Sequence, residues 1–521
     1  MRKAALIFLI FLLPNFSVLF ANETELKQST HKNNISSDFY IDSFSLSPSH
    51  VNKEKLIAPP QTISSDKGPL PFHDSSPKIK NTYPEFSLVK HNPQQFDFKL
   101  SSYVSPYSQE NKSYAGAFLD ISGINLAVWS FDKFILKKEW AQISVKSIVN
   151  NLDNGFEWDK GTFISNNLAH PYHGALYFSA ARLNGLDTLE STFFTAAGSL
   201  MWELFFESNY PSINDTLMTT LGGVVLGGPL YQIAESFWSQ NSTGFKGILQ
   251  KTLTLFINPS FSYSLFPKKL SGLNLFPEDH DYRFHFPIGT YWSTTNQQKY
   301  LLGLSVENTD YRKKDLTNIK PYDWFLLDCR LGFQKDNGLD KEIFTTVMLS
   351  GTKTKYGLSG VFGIYDYIDT QTIDMVSAAG IGMGAVSTFN SEPDFFTTAS
   401  GVFSLILGSS SPSIDQENCQ FGQKNQKPYY FGPGLMSRFK IEMGKQKVGS
   451  ILAKFSQYWV NSLFSNAQES LSISSFNIKI SITQSSQINL GYDCYIRRGT
   501  FLKQNIVAGK NALKIFYIHK F

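Results

Sequence analysis

Three things are scarce in this chain, and each absence removes a class of protein. Cysteine occurs three times in 521 residues, at Cys329, Cys419 and Cys494. An odd number at wide spacing is neither a disulfide framework nor a zinc pattern, so all three are read as structural. Charged residues make up 17% of the chain and the net charge is only +4. That is too weak and too dispersed for a nucleic-acid binder, whose basic face dominates its composition. Long uninterrupted apolar runs are missing beyond the N-terminus. The mean hydropathy is -0.17, whereas a chain of many membrane helices would be clearly positive, each span needing about 20 apolar residues.

Aromatic residues, by contrast, are plentiful. Phe (45) and Tyr (24) dominate a 15% aromatic content. High aromatic content, low charge and near-neutral hydropathy together fit alternating strands in a membrane.

The N-terminus reads as a secretory leader. Arg2 and Lys3 precede an apolar run from Ala4 to Ala21, and a basic start, an apolar stretch and a small residue at its end mark a signal peptide. Cleavage is expected after Ala21. No Cys follows the run, so no lipoprotein acylation site is present. Residues 22–95 are polar and rich in Ser, Pro, Asn and Lys. They cannot bury enough surface to offset ordering entropy and read as a disordered tail.

Residues 96–245 read as a small apolar helical domain. The segments Ala115–Leu136, Thr162–Leu183, Leu189–Phe206 and Ile213–Phe237 are longer than strands and poor in turn residues. Asp187 and Ser212 are N-cap candidates. Pro171 should push His170 off helical angles, to a helix start or kink. Arg, Glu, His, Asn and Asp interrupt each run, so these helices fit a compact domain, periplasmic or inside a barrel, better than a bundle crossing lipid.

From residue 246 to 521 the period becomes two. Phe325, Leu327, Cys329, Leu331 and Phe333 alternate with Asp328, Arg330 and Gly332. Phe476, Ile478, Ile480 and Ile482 alternate with Asn477, Lys479, Ser481 and Thr483. Successive side chains of a strand point to opposite faces, so one face is apolar and the other polar or small. A soluble sandwich would alternate too. Roughly 12 such segments with short polar connections, and a face of Gly, Asn, Asp and Lys, favour instead the fold class α+β, ending in an antiparallel membrane β-barrel of about 12 strands. Leu513, Ile515, Tyr517 and Phe521 share one face of the last strand. A final amphipathic strand ending in Phe resembles the signal read by the outer-membrane barrel assembly machinery.

Chemistry-bearing residues concentrate in one stretch, from Gly155-Phe-Glu-Trp-Asp159 to Thr219-Thr-Leu-Gly-Gly223. His170, His173, Glu203 and Asp215 are candidate catalytic residues, and Arg182 and Asn214 candidate substrate contacts. Histidine accepts protons near neutral pH, a carboxylate can orient it or act as a second acid or base, and arginine suits an anionic group. The HExxH and GxSxG motifs are both missing, and the paired glycines Gly222, Gly223, Gly227 and Gly228 lack a P-loop lysine. Small residues there serve equally well for close helix contact. No metal or other cofactor is assigned.

The ordered set His170-Pro-Tyr-His-Gly174, Ala180-Ala-Arg182, Trp202-Glu203 and Pro211-Ser-Ile-Asn-Asp215 resembles an uncharacterised bacterial family catalogued as a domain of unknown function (DUF3943). The resemblance covers roughly residues 155–237. It implies a Gram-negative envelope protein with a barrel-like C-terminal half, and it brings no reaction. Two functions stay open. One is a structural or transport protein of the outer membrane, with outer-membrane lipid and the barrel assembly machinery as partners and the polar residues locking helices together. The other is an envelope enzyme acting on lipid, lipopolysaccharide or peptidoglycan. No nucleic-acid partner is expected.

Overall fold

The computed structural model describes residues 112–520 apart from 160, 238–243, 266–280, 295–297, 313–318, 335–337, 393, 412–427, 446 and 502–503. The expected leader and polar tail, Cys419 and the terminal Phe521 lie outside the described residues.

Helices come first. They are α1 (Tyr114–Ser130), α2 (Val145–Asp153), α3 (His170–Leu183), α4 (Thr188–Phe205), α5 (Ile213–Phe237) and α6 (Gly244–Ile257). Their starts follow from capping chemistry. Ser113 Oγ accepts from Gly116 N at α1, and Ser144 forms a capping box with Ser147 at α2. Asp187 does the same with Glu190 at α4. Ser212 Oγ accepts from Asp215 N at α5. Each satisfies a backbone donor that the first turn leaves orphaned.

His170 does stand at a helix start, with Pro171 in the first turn of α3, but not off helical angles as expected. His170 is helical, at φ -61 and ψ -49, and a wide π turn over Ser165–Ala169 runs into α3 without a break. The extra residue absorbs the proline ring, as π bulges can. Pro171 also leaves the Asn167 carbonyl without its helical donor. The Tyr365 hydroxyl from the barrel supplies one at 2.6 Å.

Another π turn, Phe131–Ile135, follows α1 and buries Asp132. Burial pushes this carboxyl up to about 7, with Lys138 opposing. A carboxyl raised on folding gives stability that is full below its unfolded value and lost as pH climbs through about 7. Asp132→Asn should therefore raise helical-domain stability at pH 8, on the order of 4 kcal/mol, and leave it unchanged at about pH 3, below the unfolded value. Urea titration followed by tryptophan fluorescence at both pH values checks this. Equal gains at both would contradict it.

Twelve antiparallel strands follow: β1 (Tyr282–Ser293), β2 (Gln298–Asn308), β3 (Phe325–Phe333), β4 (Leu339–Thr354), β5 (Gly357–Thr370), β6 (Asp374–Glu392), β7 (Phe395–Ser410), β8 (Tyr430–Lys445), β9 (Gly449–Asn461), β10 (Gln468–Thr483), β11 (Ser486–Phe501) and β12 (Gln504–Lys520). Each pairs with its sequence neighbour and β1 closes on β12, giving a closed barrel. The expected strand number is met. Closure removes every free edge, which a barrel in lipid requires.

Bonds between distant strands identify the lumen face. Arg438 on β8 meets Asp366 on β5, Lys454 on β9 lies 3.7 Å from Asp328 on β3, and Tyr291 on β1 donates to Asp340 on β4 at 2.6 Å. Asp328, Phe344, Asp366 and Ala378 are register partners and share that face. The outward face is apolar. On β8 to β12 it exposes Phe439, Ile441, Ile478, Ile480, Leu490, Tyr492, Leu513 and Ile515, the band a membrane barrel shows to lipid.

On the opposite side of the barrel this band is covered, and the helices do the covering. Phe237 of α5 meets Phe284 of β1, and Phe163 meets Tyr367 of β5. A Cβ on Gly363 would lie 2.6 Å from Val225. Asn167 accepts from Ser409 of β7 at 2.7 Å. All these strand residues lie on the outward side. The expectation of a plug inside the barrel is thus corrected: ion pairs occupy the lumen, and the apolar helices share a dry core with the outer wall. α5 is the one described helix long and apolar enough to cross a membrane, but 72% of its most apolar window is buried, so it is a core element of this layer.

Candidate functional site

The site forms where the start of α3, the end of α4 and the start of α5 meet. A short bridge fixes the entry of α5: Glu157 N donates to the Pro211 carbonyl at 2.8 Å, and Ile213 N donates back to the Glu157 carbonyl at 2.9 Å. This brings Asp159 alongside. The whole corner abuts one end of the barrel. Trp158 packs on Phe431 and Phe464, and Asn166 Nδ2 donates to the Tyr429 hydroxyl at 3.1 Å. Tyr429 immediately precedes β8, and Phe464 lies between β9 and β10, so the corner stands beside strand ends.

Three of the six candidates converge. His170, Glu203 and Asp215 each offer a donor atom, and these atoms lie within 4.8 Å of one another. His170 Nδ1 is 3.2 Å from Thr219 Oγ1, and its Nε2 is 3.8 Å from Asp215 Oδ2. Glu203 Oε2 accepts from Ser212 N at 2.8 Å, while its Oε1 is buried with no hydrogen-bond partner among the described residues. Asn214 belongs to the same corner in a positioning role. Its Nδ2 donates to Asp215 Oδ1 at 3.1 Å, and its Oδ1 accepts from Asp159 N at 2.9 Å.

The other two candidates stand apart. His173 is one turn further along α3, its ring 4.5 Å from that of Tyr177 and 4.9 Å from that of Trp202. Burial, with His170 adding to it, lowers this imidazole to about 3. It stays neutral at physiological pH and packs as an aromatic ring. Arg182 is twelve residues beyond His170 on α3, roughly 18 Å at 1.5 Å per residue. It donates to the Leu186 carbonyl at 2.6 Å and lies over the Tyr231 ring. It closes the end of α3 and does not reach the cluster.

Asp159 and Thr219 belong to the site and were quoted in the motifs without a role. Glu207 also adjoins it, one turn after Glu203, and accepts from Trp202 Nε1 at 2.7 Å. The electrostatics are those of crowded buried acids. Burial, then Glu207 and Asp215, push the Glu203 carboxyl well up. Burial and then Asp159 do the same to Asp215. Burial raises Glu207 to about 7 against the pull of His170. Burial lowers His170, with Glu207 and Asp159 opposing. Like charges and low dielectric act in the same direction on the acids.

Residues 155–260 match the family described as a domain of unknown function (DUF3943). The match contains the whole cluster. No curated protein matches the chain. Similar solved structures include the NanC porin, at 8% identity over 45% of this chain and 100% of that one, with a TM-score of 0.28. Omp33 of Acinetobacter baumannii is 9% identical over 46% and 98%, with a TM-score of 0.20. OmpT of Vibrio cholerae is 8% identical over 46% and 97%, with a TM-score of 0.21.

Proposed function

We propose that this protein is an outer-membrane enzyme whose barrel is an anchor and whose docked helical domain carries a water-activating centre acting on an envelope amphiphile, lipid or lipopolysaccharide before peptidoglycan. The carrying observation is the convergence of His170, Glu203 and Asp215 from three helix ends, with Glu203 Oε1 buried and without a partner among the described residues. A buried carboxylate oxygen without a partner costs stability, and sites that perform chemistry are where such costs are tolerated.

Two further features support the reading. Ion pairs bridge the lumen from β8 to β5 and from β9 to β3, which suits an anchor better than a pore. Four of the five connections at the barrel end that receives the end of β12 are two or three residues long, β2 to β3 being the exception. Periplasmic turns are short, so we assign that end to the periplasm. The cluster then stands beside the opposite end, level with the outer leaflet rather than on the periplasmic side. Export through the N-terminal leader and insertion by the barrel assembly machinery complete the proposal.

A structural role is the second reading, favoured by the hydrogen bonds that tie Glu203 to Ser212 and Asn214 to both Asp159 and Asp215. Conservative variants separate the two. Glu203→Gln and Asp215→Asn are expected to give normal amounts of heat-modifiable barrel with a protease-resistant helical segment, while the envelope lipid profile changes to that of a deletion strain. The enzyme reading falls if deletion leaves the lipid and lipopolysaccharide profiles unchanged and the variants merely lower folded protein.

A further inference from the structure

We infer that His170, Glu203 and Asp215 bind one divalent transition-metal ion, zinc foremost, and leave one coordination position open. This inference rests on the cluster being the working centre and names what it works with.

The donor geometry carries it. Donors on one tetrahedral ion lie about 3.3–3.6 Å apart for bonds of about 2.0–2.2 Å. The three donor atoms lie within 4.8 Å of one another, so the widest pair draws in by about 1.2–1.5 Å on binding, a shift that side-chain rotation supplies. Each side chain is fastened through one atom and offers another. His170 is tied through Nδ1 to the Thr219 hydroxyl. With that nitrogen donating, Nε2 carries the lone pair and faces Asp215 Oδ2 at 3.8 Å. This separation is too long for a hydrogen bond, and it suits two ligands of a shared ion. Asp215 is fastened through Oδ1 to Asn214 and Glu203 through Oε2 to Ser212 N. That leaves Glu203 Oε1, which is buried and bonds to nothing among the described residues. A ligand histidine held through its second nitrogen, beside carboxylates that are themselves hydrogen-bonded, is the arrangement found around bound metals.

The charge balance agrees. Among the described residues no lysine or arginine pairs with Glu203 or Asp215. Buried carboxylates are otherwise paired or coordinate metals. One imidazole with two carboxylates and no thiolate favours zinc or manganese over iron–sulfur chemistry. Three protein ligands with a free position is the catalytic form of a zinc site.

The test uses the untagged mature protein, refolded or extracted in detergent, stripped with EDTA and titrated calorimetrically with Zn²⁺ and separately with Mn²⁺. One ion per chain is expected, with Co²⁺ giving the visible absorption of a four-coordinate site. Thr219→Val should weaken binding about 10- to 100-fold through the lost tether on His170, and Glu203→Gln more. Protease resistance of the helical segment, beside heat-modifiability of the barrel, confirms that each variant is folded. A folded wild type that binds neither ion stoichiometrically overturns the inference, whether or not any variant folds. So does a folded Glu203→Gln with wild-type affinity. The outcome is separable from the enzyme reading. Lipid-modifying activity that survives complete removal of metal sinks the metal site and spares the enzyme. Stoichiometric metal with no effect of deletion on the lipid profile does the reverse.

Discussion

Valine at position 174 is expected to dismantle the helical domain while the barrel still assembles. α3 and α5 cross at van der Waals distance because both carry glycine at the crossing. A Cβ on Gly174 would sit 1.9 Å from the Thr219 carbonyl oxygen, and one on Gly223 would sit 2.6 Å from Gly174 Cα. These obstacles are backbone, so no rotamer change relieves them. The helices must separate by more than about 1 Å, beyond what ordinary overpacking at about 1–3 kcal/mol represents. Thr219 is displaced in the process. Its hydroxyl holds His170, so the cluster is lost along with the packing. Phe178 and Val225 also leave the core they share with Phe325, Val347 and Tyr365. The lumen pairs are untouched, and strand pairing is independent of the crossing. Limited proteolysis of membranes should degrade the helical segment of Gly174→Val and spare a heat-modifiable barrel fragment. A protease-resistant helical domain with wild-type melting would refute the tight crossing.

The crossing also marks the limit of what periodicity can tell. Phe325 to Phe333 and Phe476 to Thr483 alternate cleanly, and alternation is a local property of a strand, so barrel and strand number were legible. Capping is equally local, which is why Asp187 and Ser212 were found. Alternation says only that one face is apolar. It cannot say whether lipid or a helix covers it. Tyr365 and Tyr367 lie under the helical layer, whereas Leu490 and Tyr492 are exposed, yet each pair stands two apart around one polar or small residue. The helical layer was accordingly expected inside the barrel or below it.

The site was half legible for a related reason. His170, Glu203 and Asp215 converge because helix ends meet, and polar residues near helix ends can be picked out in sequence. Arg182 looked similar, but it lies at the far end of its helix. His173 is three residues on, just short of a full turn from His170, and that rotation brings it against Trp202. Asp159 sits in an irregular segment with no period, so nothing local signalled its place. Pro171 misled because the usual restriction on the preceding residue is relieved by the π turn.

Removing the Asp366 carboxylate is expected to cost the barrel about 3–5 kcal/mol, the range for stripping one partner from a buried ion pair. Asp366 is wholly buried and accepts from Arg438 across the lumen and from the Tyr458 hydroxyl at 2.8 Å. Arg438 reaches Thr346 at 2.7 Å with its other nitrogen. One group therefore ties β4, β5, β8 and β9 together. Asp366→Ala leaves a guanidinium between neutral hydroxyls, whereas Asp366→Leu with Arg438→Met removes both charges and keeps volume. Well-packed apolar replacement of a whole buried pair is often neutral or stabilising, so the double variant should recover most of the loss. The two residues touch, and their effects must be non-additive. Urea unfolding in lipid vesicles, read by tryptophan fluorescence, measures all four corners of the cycle. An Asp366→Ala variant within about 0.5 kcal/mol of wild type would mean a wet lumen in which water screens the pair as it does at a surface. That result would remove the main argument against a pore. A large loss with recovery in the double variant identifies a dry, bridged lumen, and leaves the helical layer on the outer wall as the place where the protein does its work.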